Sequence, residues 1–310
     1  MLRRIFYNDE EKRLRAAWRL GLQTALLMAV VVPFYLVFGS LAQHPFWSAA
    51  LFLAKALAVI LSLVIAARFL DRRRFADLGF KLGRRWWLDC GFGFFLGAVL
   101  MAGIFAVERA AGWIQVTSTL HSSGPLPFGI SILFMLVVFG LVGFYEEAFS
   151  RGYGLTNLAE GLNLPFLGPR RAVLAAWLIS SVVFGVGHAV NPHAGLVSTL
   201  GVTAAGLLLG LGYVLTGRLG LSIGLHFSWN FFQGNVFGFP VSGRDFQVSF
   251  LGVSQGGPGL WTGGGFGPEA GLLGFSACLL GGLLILLWVR GVHGPLRILP
   301  DIAVYQRSNR

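Results

Sequence analysis

The stretch FMLVVFGLVGFYEEAFSR, from Phe134 to Arg151, joins an uncharged apolar run to two acids and an arginine. It lies in one of several apolar windows of about 20 residues, the length that an α-helix needs to cross a hydrocarbon layer about 30 Å thick. An ionisable residue inside such a helix costs on the order of 2.5 to 3.5 kcal/mol, so it normally faces a protein interior or a wet cavity. The stretch therefore predicts a membrane-spanning helix that carries a polar site.

The composition of the whole chain supports a membrane protein. Of its 310 residues, 55% are hydrophobic and only 12% are charged, against about 25% charged in an ordinary soluble domain. The net charge of +11 would suggest nucleic-acid binding in a soluble protein. Here the basic residues lie between apolar segments, which indicates membrane topology and contact with anionic lipid headgroups. We expect the lipid bilayer as surroundings and no nucleic-acid partner.

Apolar windows along the chain predict an all-α fold, a polytopic membrane helix bundle with about eight transmembrane helices. Neither an internal repeat nor a low-complexity linker interrupts these windows, so residues 1–310 are expected to form a single membrane domain. The candidate spans are residues 18–42, 46–70, 86–107, 128–156, 173–190, 195–216, 219–240 and 270–289.

The distribution of basic residues predicts how these spans are oriented. With the N-terminus in the cytoplasm, all Lys and Arg residues except Lys55, Arg109 and Arg244 are placed on the cytoplasmic side. Such asymmetry is typical of multi-pass membrane proteins. The N-terminal residues 1–17 and the C-terminal residues 291–310 are therefore expected to be cytoplasmic tails.

The segment 251–271 is rich in glycine and precedes the last candidate span. It is predicted to be an extracytoplasmic loop. Pro268 and Glu269 are expected in the first turn of the eighth helix, where the fixed φ of proline and the negative charge of glutamate both suit a helix start.

Helical spacing assigns different partners to the two glutamates of the fourth span. Glu147 and Arg151 stand at i and i+4 with the acid first, the favourable order for an ion pair along a helix. Glu146 is turned from Glu147 by about 100°, so it is expected to face another group. This makes Glu147 the neutralised structural member and Glu146 the candidate general base.

Two further polar positions lie inside apolar spans. His188 is in the fifth span, and a lone histidine there is more often a packed core residue than a catalyst. His226 and Asn230 are one helical turn apart in the seventh span and share a face. Either the amide fixes the tautomer of the histidine, or both side chains donate to a developing oxyanion.

Convergence of these groups requires a particular arrangement of the helices. If the fourth span ended at Arg151, Glu146 would lie near the cytoplasmic face and His188 near the outer face. We therefore predict that the fourth helix continues well past Arg151 and that the fifth begins nearer Ala175. The site is expected roughly 10 to 18 Å below the cytoplasmic surface.

Three polar motifs thus occur in order between residues 140 and 230. They are Glu146-Glu147-x-x-x-Arg151, Phe184-x-x-x-His188 and His226-x-x-x-Asn230. In this order they resemble the signature motifs of the CPBP family of intramembrane proteases, which comprises the type II CAAX prenyl endopeptidases and bacterial relatives, the Abi proteins.

The resemblance implies an eight-helix bundle with a cavity that opens to the cytoplasm, in the bacterial inner membrane. It implies an endopeptidase acting on a membrane-bound protein or peptide, for example one with a prenylated CAAX-like end. Glu146 and His188 would activate water, and His226 and Asn230 would stabilise the oxyanion, with Glu147 and Arg151 completing the site.

Zn²⁺ is a possible cofactor, because the family is usually described as metalloproteases. Glu146, His188 and His226 would be its ligands, leaving one position for water. The usual pair of histidines on one helical turn is missing, and a water activated by glutamate without metal is also chemically sufficient.

Two other functions are compatible with buried acids and histidines. One is a proton-coupled transporter, since such relays also mark ion pathways, although the matched halves with discontinuous helices that many transporters have are not evident. The other is a non-catalytic scaffold or immunity protein with the same fold.

Overall fold

The computed structural model describes residues 3–40 and 45–306, except for the side chains of residues 45–49. The end of the first predicted span, residues 41–42, lies outside these ranges. So do residues 1–2 and 307–310 of the two predicted tails.

Within these ranges, eight long helical segments occur at the eight predicted spans, and the fold is the predicted polytopic helical bundle. Three of the segments include π-helical turns, where the backbone is wound more loosely than in an α-helix. The segments are α1 (Ala16–Phe38), α2 (Pro45–Ile65, continued by Ala66–Leu70), α3 (Arg84–Ala110), α4 (Phe128–Glu147, continued by Ala148–Leu155 and Thr156–Leu162), α5 (Gly168–Gly187), α6 (Leu196–Thr216), α7 (Gly220–Phe231, continued by Phe232–Val236) and α8 (Leu272–Val292).

Helix α7 differs from the other seven. Within the described ranges, 7 helices are long and apolar enough to cross a membrane, and α7 is not among them because it is too short. Ten residues of Gly220–Phe231 are buried, so α7 is surrounded by protein. It is the central helix of the bundle, and it carries His226 and Asn230.

Small residues allow α3 to pack closely against α7. A Cβ atom at Gly93 or Gly97 of α3 would lie 2.2 Å from an atom of α7. A Cβ atom at Gly220 or Gly224 of α7 would lie 2.3 or 2.0 Å from a carbonyl oxygen of α3. Within a membrane, where lipid is as apolar as a leucine side chain, such close backbone contact is a main source of helix association.

The course of α4 agrees with one prediction and the start of α5 contradicts another. Helix α4 continues past Arg151 to Leu162 and has 35 residues, so the predicted extension is confirmed. Helix α5 begins at Gly168 and not near Ala175. The earlier start has a local cause, because Gly168 adopts a φ of 73° and Pro169 occupies the first turn, where its missing N–H costs nothing.

Five charged side chains form a buried ion cluster at one end of the bundle: Arg13, Arg19, Asp71, Arg73 and Glu160. Glu160 accepts hydrogen bonds from Arg13 at 2.8 Å, from Arg19 at 2.9 Å and from Arg73. Arg19 also contacts Asp71 at 3.4 Å. The cluster joins the N-terminal segment to α1, the end of α2 and the end of α4.

A small antiparallel sheet lies beyond the opposite ends of α3 and α4. Strand β3 (Ile114–Ser122) pairs with β4 (Val248–Gln255), and two short strands, β1 (Tyr7–Asn8) and β2 (Arg13–Leu14), pair near the N-terminus. The interpretation of residues 251–271 as loop is therefore wrong for residues 251–255, which lie in β4.

Glu269 does not occupy the first turn of the eighth helix, contrary to prediction. Pro268–Ala270 form a separate 3₁₀ turn, and α8 begins at Leu272. The carboxylate of Glu269 is buried and accepts hydrogen bonds from Gln233 and from Ser242. The backbone turns at Gly267, whose φ of 115° is a conformation that glycine adopts readily. This turn directs the side chain of Glu269 back towards α7, where it contacts Gln233.

Candidate active site

Glu147 is held between α4 and α7 by two partners. Its Oε1 atom accepts a hydrogen bond from Arg151 at 2.8 Å and lies 2.9 Å from Nδ1 of His226. The ion pair predicted from the i, i+4 spacing is therefore present. Both Glu147 and Arg151 are buried, and Arg151 also donates to the carbonyl oxygen of Gly206 at 2.9 Å. The negative charge of Glu147 is therefore compensated by partners inside the protein.

Glu146 has no cation of its own within the described part of the chain. Its side chain is 25% exposed, and its Oε2 atom lies 4.0 Å from Nε2 of His226. Glu146 and Glu147 thus approach the two nitrogens of one imidazole ring. The two glutamates were expected to face different groups, but both lie next to His226. The glutamate side chains are long enough to reach opposite edges of the ring although their positions on α4 differ by about 100°.

The tautomer of His226 follows from these contacts. A carboxylate that already accepts from Arg151 accepts again from Nδ1–H, so Nδ1 carries a proton. Nε2 then faces Glu146, with a lone pair in the neutral ring or a proton in the charged ring. Glu147 therefore orients the histidine, the role that sequence reasoning had offered to Asn230.

His188 follows the last residue of α5 and is half-buried. Its Nδ1 atom lies 2.8 Å from the carbonyl oxygen of Phe184. A carbonyl oxygen only accepts, so Nδ1 carries the proton and Nε2 of the neutral ring is left as an acceptor.

The ring of Phe184 lies between the polar groups. It is 4.7 Å from the ring of His188 and 6.0 Å from the ring of His226, between centroids. The guanidinium carbon of Arg151 lies 4.4 Å from its centroid, a distance typical of a cation–π contact. The structure thus places Arg151, His188 and His226 around one aromatic ring, and the two glutamates lie next to His226.

Asn230 lies one turn after His226 on α7 and is half-buried. Among the described residues, its side chain has no hydrogen-bond partner, so its amide is free to bind another group. Sequence reasoning named Phe184 in a motif without giving it a role, and it missed Gly206. The cation–π and carbonyl contacts of Arg151 join separate helices, and only the Phe-x-x-x-His motif pointed to Phe184.

The donor set does not match a three-ligand zinc site as predicted. Glu146 and His226 are adjacent, but no group of three His, Cys, Asp or Glu side chains that could hold a metal ion occurs in residues 3–40 and 50–306. His188 is the predicted ligand that is not gathered with the other two. We therefore derive no reaction step through a metal.

A cavity of about 300 Å³ lies outside this group of side chains. Its lining includes Asp245 and Gln255, near β4 and the glycine-rich segment, and includes none of the candidate site residues. The site is identified by its hydrogen bonds and its partly exposed carboxylate, and not by a large enclosed space.

Comparison with known proteins connects this geometry to a family. Residues 128–232 match the family model described as type II CAAX prenyl endopeptidase Rce1-like. The match begins at the first residue of α4 and includes every candidate site residue. No curated protein and no solved structure matches the chain. Over residues 128–232, the chain is therefore similar to the type II CAAX prenyl endopeptidases of the Rce1-like family.

Proposed function

We propose that the protein is an intramembrane endopeptidase that hydrolyses a peptide bond of a membrane-associated protein or peptide. Substrates with a prenylated CAAX-like C-terminus are the first class to examine, because the matched family is described by that activity. The family supports a peptidase in general terms. The mechanism below is our own proposal for the residues described above.

In the proposed reaction, the carboxylate of Glu146 removes a proton from a water molecule. The oxygen of that water forms a bond to the carbonyl carbon of the substrate, and the carbonyl becomes an oxyanion. The oxyanion accepts hydrogen bonds from the amide of Asn230 and from protonated His226. Glu146 then returns the proton to the leaving nitrogen as the C–N bond breaks.

His188 has a supporting role in this scheme. Its Nε2 atom is an acceptor when Nδ1 donates to Phe184, so it can accept a hydrogen bond from the attacking water. Together, Glu146 and His188 would orient the water and polarise its O–H bonds. This division of roles follows from which ring nitrogens are already bound to protein.

The observation that carries the proposal is the difference between two adjacent glutamates. Glu147 is fully buried and is paired with Arg151, while Glu146 is partly exposed and 4.0 Å from the imidazole. The carboxylate of Glu147 is already engaged by Arg151 and His226, whereas that of Glu146 is accessible to a water molecule. The chain therefore offers one structural acid and one reactive acid.

Purified protein in liposomes, mixed with a farnesylated peptide that ends in a CAAX sequence, tests the proposal. Cleavage should be abolished by Glu146→Ala and by His188→Ala and retained by Asp245→Asn, an exposed acid outside the site. Cleavage that survives in both site variants would contradict the mechanism. A proton flux that depends on Glu146 without any cleavage would favour a transporter.

Metal analysis of the same preparations addresses Zn²⁺. Zinc bound at one ion per chain and lost in His188→Ala would mean that His188 joins Glu146 and His226 in the working enzyme. Activity without bound metal would support activation of water by Glu146 and His188 alone.

A further inference from the structure

Lys55 is a cation inside a membrane-spanning segment that the proposed mechanism does not use. It belongs to α2, in a stretch of high hydropathy. The ion pairs of the described residues join arginine or histidine to an acid, and none of them includes Lys55. An ionisable residue at such a position normally faces the protein interior and serves a function.

The side chain of Lys55 is half-buried. Leu51 and Val59 stand one helical turn before and after it, and each is only 5% exposed. Residues four apart share a face of a helix, so Lys55 lies on the buried face of α2. It lines a crevice of about 90 Å³ between α1 and α2. The other lining residues are Val30, Val31, Phe34, Tyr35, Ala54 and Ala58.

This crevice suits a ligand that is mostly apolar and carries one anionic group. Its walls are almost entirely apolar, and Lys55 is the charged residue among those that line it. The ammonium of Lys55 and the hydroxyl of Tyr35, another lining residue, are both hydrogen-bond donors. A carboxylate is the common biological group that would satisfy both donors and neutralise the charge.

Lys55 lies at nearly the same depth as the candidate base. Helices α2 and α4 run in the same direction and are joined at one end, where Asn157 donates to Asp71 at 2.8 Å. Counting back from that bond at 1.5 Å per residue places Lys55 about 24 Å away along α2 and Glu146 about 16 Å away along α4. The two side chains therefore differ in depth by about 8 Å.

A second contact supports this alignment of the helices. Phe52, one turn before Lys55, packs against an apolar cluster that includes Val138 and Phe139 of α4. Lys55 is thus about level with the turn of α4 that leads into Glu146. Since α2 and α4 are in contact, a peptide at Glu146 could also reach Lys55.

We propose that Lys55, assisted by Tyr35, binds a carboxylate of the peptide substrate and so determines specificity. The 8 Å difference in depth and a helix spacing of about 10 Å together require about four residues of extended chain. The carboxylate is therefore within about four residues of the scissile bond. This inference rests on the proposed function.

Three versions of one farnesylated CAAX peptide test the inference. They end in a free carboxylate, in an amide, or in an amide with Asp as the last residue. Cleavage is measured as kcat/KM for the wild type, Lys55→Met, Lys55→Arg and Lys81→Met. Methionine keeps the length and apolar stem of lysine without the charge, and Lys81 is an exposed lysine outside the crevice.

The kcat/KM of the wild type should be about tenfold higher for the free-acid peptide than for the amide peptide. This factor corresponds to the lower end of the coupling energies measured for close charge pairs. Lys55→Met should reduce that ratio to about one, while Lys55→Arg and Lys81→Met keep it. Cleavage of the Asp peptide at the free-acid rate would make any nearby carboxylate sufficient, and cleavage at the amide rate would identify the C-terminal carboxylate.

An unchanged ratio in Lys55→Met, or an equal loss for all three peptides, would overturn the inference. An equal loss that followed the content of anionic lipid would assign Lys55 to lipid binding. Binding of the same peptides to Glu146→Gln protein gives a readout that needs no cleavage. Cleavage that persists in Glu146→Gln would instead contradict the proposed function, so the two failures are distinguishable.

Discussion

The buried ion cluster and the candidate active site are built from the same kinds of residue but differ in how their charges are paired. In the ion cluster, Glu160 accepts hydrogen bonds from three arginines, and its side chain is 3% exposed. The site contains one arginine and two glutamates, and the arginine forms an ion pair with Glu147 and not with Glu146. The other carboxylate, Glu146, is left facing a histidine and partly exposed.

This difference separates a structural function from a chemical one. A carboxylate enclosed by guanidinium groups stays ionised and holds segments together, as Glu160 does for the N-terminal segment, α1, α2 and α4. A carboxylate without a cation, beside a ring that can gain or lose a proton, can exchange protons with a substrate. The comparison predicts that substitutions at the site mainly lower activity, whereas substitutions in the ion cluster mainly lower stability.

The largest effect is expected for His226→Ala, which removes the ring between the two glutamates. The rate of peptide cleavage should fall about 10³-fold, since general acid–base groups typically contribute 10²- to 10⁴-fold. The thermal midpoint in detergent should change little in comparison. Ser228→Ala on the same helix is the matched control, and it should retain cleavage. A His226→Ala protein that cleaves within tenfold of the wild type would remove this histidine from the site.

Glu160→Gln should act on stability. The change leaves Arg13, Arg19 and Arg73 around an uncharged amide, and breaking a buried ion pair in this way costs about 3 to 5 kcal/mol. The free energy of unfolding in mild detergent should fall by that amount, while the cleavage rate per folded molecule stays within about threefold. A stable but inactive Glu160→Gln protein would show that the ion cluster takes part in catalysis.

Glu269 extends the comparison to a buried carboxylate that has amide and hydroxyl partners. Burial raises the pKa of Glu269 from its ordinary value of 4.5 to about 7. Between these values the unfolded chain binds fewer protons than the folded chain, so stability should fall as pH rises from about 4.5 to about 7. The loss should approach about 3 kcal/mol and then level off.

Unfolding at several pH values tests this expectation. Glu269→Gln should remove that part of the pH dependence, whereas Asp245→Asn, at an exposed acid, should keep it. The same pH dependence in wild type and Glu269→Gln would contradict the assignment.

The smallest effect is expected for Glu147→Gln. The amide keeps an oxygen that can accept from Arg151 and His226 but removes the negative charge. Groups that orient a histidine in this way typically contribute about 10- to 100-fold. We expect kcat to fall by that factor with KM nearly unchanged. A loss as large as that of His226→Ala would give Glu147 a direct part in the reaction.

The helical spans were predictable because lipid imposes one strong rule, that each crossing needs a long apolar helix. The rule also explains the extension of α4, since the site residues could meet only if that helix continued past Arg151. The same rule does not predict the position of α7, because this helix is too short to cross the membrane and is buried by other helices. Its place in the centre depends on glycine contacts with α3 that involve distant parts of the chain.

The remaining differences have local causes that hydropathy does not report. Strands β3 and β4 contain alternating β-branched and polar residues, such as Val116, Thr117 and Ser118, a strand signal outside the apolar windows. The contact between Glu147 and His226 joins two helices, whereas helical spacing describes only pairs within one helix. For the same reason, the burial of Glu269 against Gln233 and Ser242 was not foreseen.

The central claim is that Glu146 is the reactive carboxylate and Glu160 a structural one. The most direct measurement is the initial rate of cleavage of a farnesylated CAAX peptide, per folded molecule, by Glu146→Gln and Glu160→Gln proteins side by side. The account predicts a loss of at least about 10³-fold for Glu146→Gln and a rate near that of the wild type for Glu160→Gln. Equal rates for the two variants would contradict it.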